Sequence, residues 1–208
     1  EVKDNFIETI IKEIDKEDIE LFMWGIEYQW INKNLIIKME TDKYDTKEYS
    51  IDDFATEISR YLNRYYFNFV WNKLYKREVI KNILFEQGKV HEDEFWTYQV
   101  ISRCNKLIHI DIDLYYYFQR DDSIMGNNYS LKRLDAIEGR YNRYLFICNN
   151  YPQLSNKAKL NLFYISIYYL QQSMKISKSK EYKISYKFIE NIMKKVKFNM
   201  KDYKEFSY

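Results

Sequence analysis

Residues Ile19 to Tyr28, Ile-Glu-Leu-Phe-Met-Trp-Gly-Ile-Glu-Tyr, are almost continuously apolar and aromatic. A strand with one wet face alternates polar and apolar residues; this run does not, and reads as a strand buried on both faces of a covered sheet. A turn at Asn32-Lys33-Asn34 leads into a second expected strand, Leu35 to Met39, making a hairpin. At 208 residues, with 46% hydrophobic and 19% aromatic residues, the chain is long and apolar enough to cover such a sheet.

Scarcity of glycine narrows the chemistry. With four Gly and one Pro, neither G-x-x-x-x-G-K-[ST] nor G-x-G-x-x-G occurs, so these residues hold no phosphate-cradling loop of those kinds. Cys104 and Cys148 are far apart, lack C-x-x-C spacing and have only two histidines for company, which argues against zinc and for small core residues of a reduced, intracellular protein. No apolar run reaches bilayer-spanning length, and the first residues lack a signal-peptide pattern.

Helical spacing marks the remaining layers. Val2, Phe6, Ile7, Ile10, Ile11 and Ile14 form a stripe already running at the first residues, with no cap before it. Ser50 and Asp53 open a capping box ahead of Ile51, Phe54, Ala55, Ile58 and Leu62. Leu107 to Ile112 and Leu114 to Arg120 read as two short strands. From Ser130 onward the pattern is helical, with stripes Leu131, Leu134, Ile137, Tyr141, Leu145; then Phe163, Ile167, Leu170, Met174; then Ile184, Phe188, Ile192, Val196.

The stretch richest in chemistry is Gly88-Lys89-Val90-His91-Glu92-Asp93-Glu94-Phe95-Trp96. Trp96, Val100 and Cys104 recur every fourth residue, so Glu92, Asp93 and Glu94 are expected in the first turn of an apolar helix. Carboxylates there are stabilised as anions by unpaired backbone N–H groups, which serves plain helix-start electrostatics as readily as catalysis. Upstream, Trp71-Asn72-Lys73-Leu74-Tyr75-Lys76-Arg77 mixes aromatic faces with amide and cationic donors. That mixture suits an oxygen-rich ligand, or a half-buried strand with snorkelling lysines. Asp111-Ile112-Asp113 looks like an Asp-x-Asp metal motif but sits in a strand-like apolar run, and we read it as a decoy. Lys157 to Tyr208 carries twelve lysines against four acids, a basic end that could lean on anionic lipid or nucleic acid, although lysines spread along amphipathic helices more often form a solvated face.

Three blocks stand in order: Val70-Trp71-Asn72-Lys73-Leu74-Tyr75-Lys76-Arg77-Glu78, then Gly88 to Phe95, then Leu114-Tyr115-Tyr116-Tyr117-Phe118-Gln119-Arg120-Asp121-Asp122-Ser123-Ile124-Met125. Over roughly residues 1 to 140 they resemble the second half of a bacterial family 2 glycosyltransferase, of the kind that builds cell-surface polysaccharides. The resemblance implies an α/β fold: the C-terminal portion of a GT-A mixed sheet with flanking helices over residues 1–128, followed by a helical appendage over 129–208. It implies inverting transfer from a nucleotide-sugar donor to a glycan or lipid-linked saccharide acceptor. By the same resemblance Asp93 matches the catalytic base, with Glu92 beside it; Arg120 matches a cation facing the diphosphate; and Trp71, Asn72, Lys73 and His91 match substrate-binding positions.

The family holds a divalent metal, Mg or Mn, through an Asp-x-Asp that precedes the helix represented here by Val2 to Ile14. This chain lacks it, so the resemblance implies a fragment that is inactive alone. A cytoplasmic setting is expected, with the lysine-rich tail able to hold the parent enzyme near a lipid-linked acceptor at the inner face of the membrane and no nucleic-acid partner; a homodimer through an exposed sheet edge belongs to the alternative of a non-catalytic module. The alternatives are a non-catalytic glycan-binding or protein-interaction module and, third, a basic helical adaptor.

Overall fold

The structure is a computed structural model, and it describes residues 1–14, 19–30, 35–36, 47–49, 67–119, 129–176 and 178–198. The expected turn at Asn32-Lys33-Asn34, most of Leu35 to Met39, the capping-box helix after Ser50, and the loop from Arg120 to Ser123 lie outside these. Two compact units emerge, one drawn from Glu1–Phe54, Tyr66–Ile83 and Gln99–Asn127, the other from Ala55–Tyr65, Leu84–Tyr98 and Asn128–Tyr208.

The first unit is built around the apolar run. Strand β1 (Leu21–Trp30) pairs antiparallel with β2 (Leu35–Ile36), as the hairpin reading expects, and every residue from Leu21 to Glu27 is buried. Among the described residues the sheet runs β2-β1-β5-β3, with β3 at Lys47–Tyr49 and β5 at Leu107–Gln119, while β4 (Lys73–Tyr75) pairs with the start of β1. β1 and β5 are parallel and the other pairings antiparallel, so the sheet is mixed. Helix α1 (Phe6–Ile14) covers one face: Ile10 packs with Phe22, Trp24, Ile110 and Leu114, and Phe6 meets Trp24 edge-on at 5.1 Å. The one acid in the buried run, Glu27, is matched by Lys3, whose Nζ lies 2.9 Å from its Oε2.

Three expectations change here. The N-terminal stripe is helical only from Phe6: Val2 forms an antiparallel bridge with Tyr115, and Ile7 and Ile11 are exposed. The two short strands after Leu107 are one, β5, kept continuous by an irregularity opposite Gly25, where the register jumps from Trp24↔Ile110 to Gly25↔Asp113 and Ile26↔Tyr115. Extra residues on one strand bend the ladder without ending it, and the polar Asp111-Ile112-Asp113 sits at that bend. Finally, the short helix α2 (Arg77–Ile80) follows β4, where no helix was expected.

The second unit is helical. After a 3₁₀ turn at Leu131–Leu134 come α4 (Asp135–Asn150), α5 (Ser155–Met174) and α6 (Lys180–Lys195). The preceding helix α3 (Asp93–Ile101) gives its residues up to Tyr98 to this unit and those from Gln99 to the first. It stops short of Cys104, which is buried in the turn beyond, its N–H donating to Ile101 O.

Helices exist where the spacing puts them, and Leu134, Ile137, Ile192 and Val196 of the expected stripes are buried, but the buried face of α5 is turned from its expected stripe. Leu134, Ile137, Leu162, Ile165, Tyr169, Ile189, Ile192 and Val196 form the core, whereas Leu145, Met174 and Ile184 are exposed. Buried serines explain the rotation. Ser166, Ser173 and Ser185 sit inside because each hydroxyl donates to a carbonyl of its own helix, at 2.7, 2.7 and 2.8 Å. A serine satisfied in this way occupies a core position that an apolar count assigns to the outside.

Candidate functional site

The acidic turn is shaped by two residues with left-handed backbone, Gly88 at φ 77° and His91 at φ 61°. For glycine that costs nothing, while for histidine it is an uncommon, mildly strained conformation. The bend lets the chain enter α3 with Asp93 as its first residue. Glu92 stands just ahead of the helix: its carbonyl accepts from the N–H groups of Phe95 and Trp96, both at 3.2 Å, and its side chain is exposed. Asp93 is half-buried, and its Oδ1 accepts the Glu94 N–H at 2.9 Å, so its carboxylate lies against the positive end of the helix.

Glu94 is the acid that sequence reasoning passed over. It is buried, its Oε1 accepting from Arg140 Nε at 2.9 Å with Arg140 Nη2 at 2.8 Å. Arg143 Nη1 lies 3.2 Å from Oε2, close enough for charge attraction, though that oxygen has no aligned hydrogen bond. Both arginines also donate to Asn161 Oδ1, at 3.1 and 2.9 Å. Burial pushes the Glu94 carboxyl up, but Arg140 and Arg143 together outweigh it and hold it below the ordinary value. Burial draws the Arg143 guanidinium down to about 10, still cationic at neutral pH. The available signal was Arg140 and Arg143 inside an otherwise apolar helical pattern, since arginines are rarely fully buried unless paired.

The turn before Asp93 is tied down as well. Lys89 Nζ lies 2.7 Å from Glu138 Oε2 and 3.3 Å from Asp135 Oδ1, while the Val90 N–H donates to Asp135 Oδ2 at 3.0 Å. Burial pulls the His91 imidazole below its ordinary value, and its Nε2 reaches Tyr169 OH at 3.5 Å, the outer limit of a hydrogen bond.

The other expected residues belong to the first unit. Trp71 is half-buried and stacks on Tyr117 at 5.1 Å and 7°, within a group that includes Phe69 and Tyr115. Asn72 and Lys73 are buried: Asn72 Nδ2 donates to Trp24 O at 3.3 Å, and Lys73 Nζ donates to Asn72 Oδ1 at 2.7 Å and to Phe69 O. The Asn72 bond ties the start of β4 to β1, and Lys73 braces Asn72 in turn. Arg120 lies outside the described residues. Among the described residues no three His, Cys, Asp or Glu side chains converge to hold a metal ion. No helix among them is long and apolar enough to cross a membrane.

The chain matches no protein-family profile. It is 24% identical over 136 residues to the glycosyltransferase GlyG of Streptococcus pneumoniae serotype 4, a match covering 62% of this chain and 44% of that protein. Among solved structures it resembles S. aureus TarS 1-349, crystallised in complex with UDP-GlcNAc, with a TM-score of 0.52 and 17% identity over 71% of this chain and 40% of that one. The chain thus spans less than half the length of each. In sequence and in fold alike it resembles part of a family 2-like glycosyltransferase, and its mixed sheet with flanking helices is a GT-A-like fold.

Proposed function

We propose that the protein carrying this chain is an inverting glycosyltransferase that moves a sugar from a nucleotide-sugar donor to a cell-surface glycan acceptor, with Asp93 as its catalytic base. The observation that carries this reading is the acidic turn itself: a half-buried carboxylate, oriented at a helix start by the Glu94 N–H, in a chain similar to glycosyltransferases. Asp93 takes the proton of the acceptor hydroxyl as that oxygen bonds the anomeric carbon. The bond from that carbon to the diphosphate breaks on the opposite side, its electron pair leaving with the nucleotide. Arg120 would offset the charge gathering on the diphosphate, and Glu92 would stand beside the base.

A divalent cation, if used, would neutralise the same leaving group through ligands outside the described residues. UDP-GlcNAc, the ligand of TarS, is the first donor to try. Contact with an anionic membrane belongs to the same proposal. Lys180, Lys183, Lys187 and Lys194 are exposed on the side of α6 opposite Ser185, Ile189 and Ile192, and vesicle binding that weakens with salt is its test.

In the full-length protein Asp93→Asn should cut transfer by about 10²-fold or more while leaving donor binding intact, because a base acts on the acceptor proton. Unchanged transfer, or loss of donor binding, would remove Asp93 from that role.

A further inference from the structure

Three consecutive acids stand at the start of α3, Glu92 just ahead of it and Asp93 and Glu94 in its first turn, yet only Glu94 is sealed in the interior with two guanidinium groups. Taking a carboxylate out of water beside two arginines is not an economical way to stabilise a helix, since apolar side chains of the same volume often do as well or better. What the arrangement does provide is direction. Each oxygen of Glu94 faces a different arginine, both arginines come from α4, and Asn161 of α5 receives a hydrogen bond from each. A side chain held at one oxygen by the Arg140 fork and drawn at the other by the Arg143 charge resists rotation of the helical turn that carries it, and Asp93 is the preceding residue on that turn.

The other side of Asp93 is fixed independently. Asp135, in the first turn of α4, accepts the Val90 N–H, and Lys89 bridges Asp135 and Glu138. Gly139 lets α4 approach so closely that a Cβ there would lie 2.8 Å from Glu94 Cβ. Between these anchors runs the strained His91. Strain of that kind persists only where the surroundings over-determine it. Arg143 lies near enough to feel the negative charge of Asp93 as well as that of Glu94.

We infer that Glu94, Arg140 and Arg143 are positioning residues, a buried clamp through which the helices after Asp135 hold the Asp93 carboxylate in its working orientation. The inference rests on the reading of Asp93 as the base. It gives α4 and α5 a task in the reaction without placing them in contact with either substrate. A displacement of a reacting group by about 1 Å is enough to cost about 10²-fold in rate, so loosening the clamp should act on turnover far more than on donor affinity.

The test uses the full-length protein and release of nucleoside diphosphate from a panel of UDP-sugars with Mn²⁺ or Mg²⁺, alongside amide hydrogen exchange of the same variants. Arg143→Met and Glu94→Gln should lower kcat about 10- to 100-fold with KM for the donor within about twofold, and Arg143→Lys, which keeps the charge but not the fork, should recover part of the loss. Exchange at the Glu94, Phe95 and Trp96 amides should rise at least about tenfold in Arg143→Met. The exchange readout stands even if Glu94→Gln folds poorly. Unchanged kcat in folded Arg143→Met, or a kcat loss with no change in exchange at α3, overturns the clamp. Asp93→Asn separates the two failures: wild-type turnover in that variant overturns the reading of the base, and the clamp's part in catalysis falls with it. Loss of turnover in Asp93→Asn with full turnover in Arg143→Met overturns the clamp alone.

Discussion

Gly139 of α4 backs directly onto Glu94 of α3, with room for a hydrogen and not for a methyl group. Gly139→Ala would gain about 1 kcal/mol in helix propensity. It would also place a Cβ 2.8 Å from Glu94 Cβ and 3.1 Å from the Phe95 ring, neither of which is the free end of a flexible chain. Overpacking of this kind costs about 1–3 kcal/mol. The net effect should be destabilising, read as a lower thermal midpoint, and an unchanged or higher one would contradict the packing.

Acid should release the Glu94 network. Its carboxyl is more acidic folded than unfolded, because Arg140 and Arg143 outweigh burial. The unfolded chain therefore takes up the proton first. The stability this group contributes is complete above the unfolded-state value of about 4.3 and drains away as pH falls below it toward the folded-state value. Urea melts between pH 3 and 7 should show this slope in the wild type and a shallower one in Glu94→Gln. At neutral pH that variant should itself be less stable by about 3–5 kcal/mol, since it leaves buried arginines without their counter-charge.

The two thiols should differ sharply in reactivity. Burial, with help from the nearby Glu20 carboxylate, pushes the Cys104 thiol up to about 12, and its Sγ donates to Val100 O at 3.4 Å. Only the thiolate attacks an alkylating agent. Iodoacetamide at pH 8 should label the half-buried Cys148 first and reach Cys104 only on unfolding, as peptide mass spectrometry of time points would show.

The rotated face of α5 can be checked by truncation. Leu162 is fully buried among Ile137, Ile165 and Ile189, whereas Met174 is exposed. Leu162→Ala should cost about 2–5 kcal/mol and Met174→Ala less than about 0.5 kcal/mol in urea unfolding. Equal effects would restore the stripe through Phe163, Ile167, Leu170 and Met174.

That stripe shows where sequence was readable and where it was not. The run from Leu21 to Glu27 had one physical solution, a strand covered on both sides, and it is that strand. The start of α3 was equally legible, because Gly88 and the acids punctuate it. Helix phase differs in α5, where Ser166 and Ser173 go inside on carbonyls of their own helix, a partner that spacing does not reveal. For Asn72 and Lys73 the sequence left two readings open, a ligand-facing surface and a half-buried strand, and their side chains are buried and bonded within the first unit. The family resemblance pointed to Asp93 and could not point to Glu94, because the meaning of Glu94 lies in what α4 brings to it.

The parallel pairing of β1 with β5 has a consequence in time. Asn105 Nδ2 and Glu20 Oε1, 3.2 Å apart at the mouth of that pairing, are 85 positions apart in the chain. Long loops must close before such a ladder gains anything, and folding slows as contacts become more distant in sequence. The contacts among α4, α5 and α6 are local by comparison. A nascent chain would therefore hold its most apolar segment, Leu21 to Ile26, without its partner strand until ribosomes had passed Gln119. During that interval the segment is most open to chaperone capture and to pairing with another copy of itself.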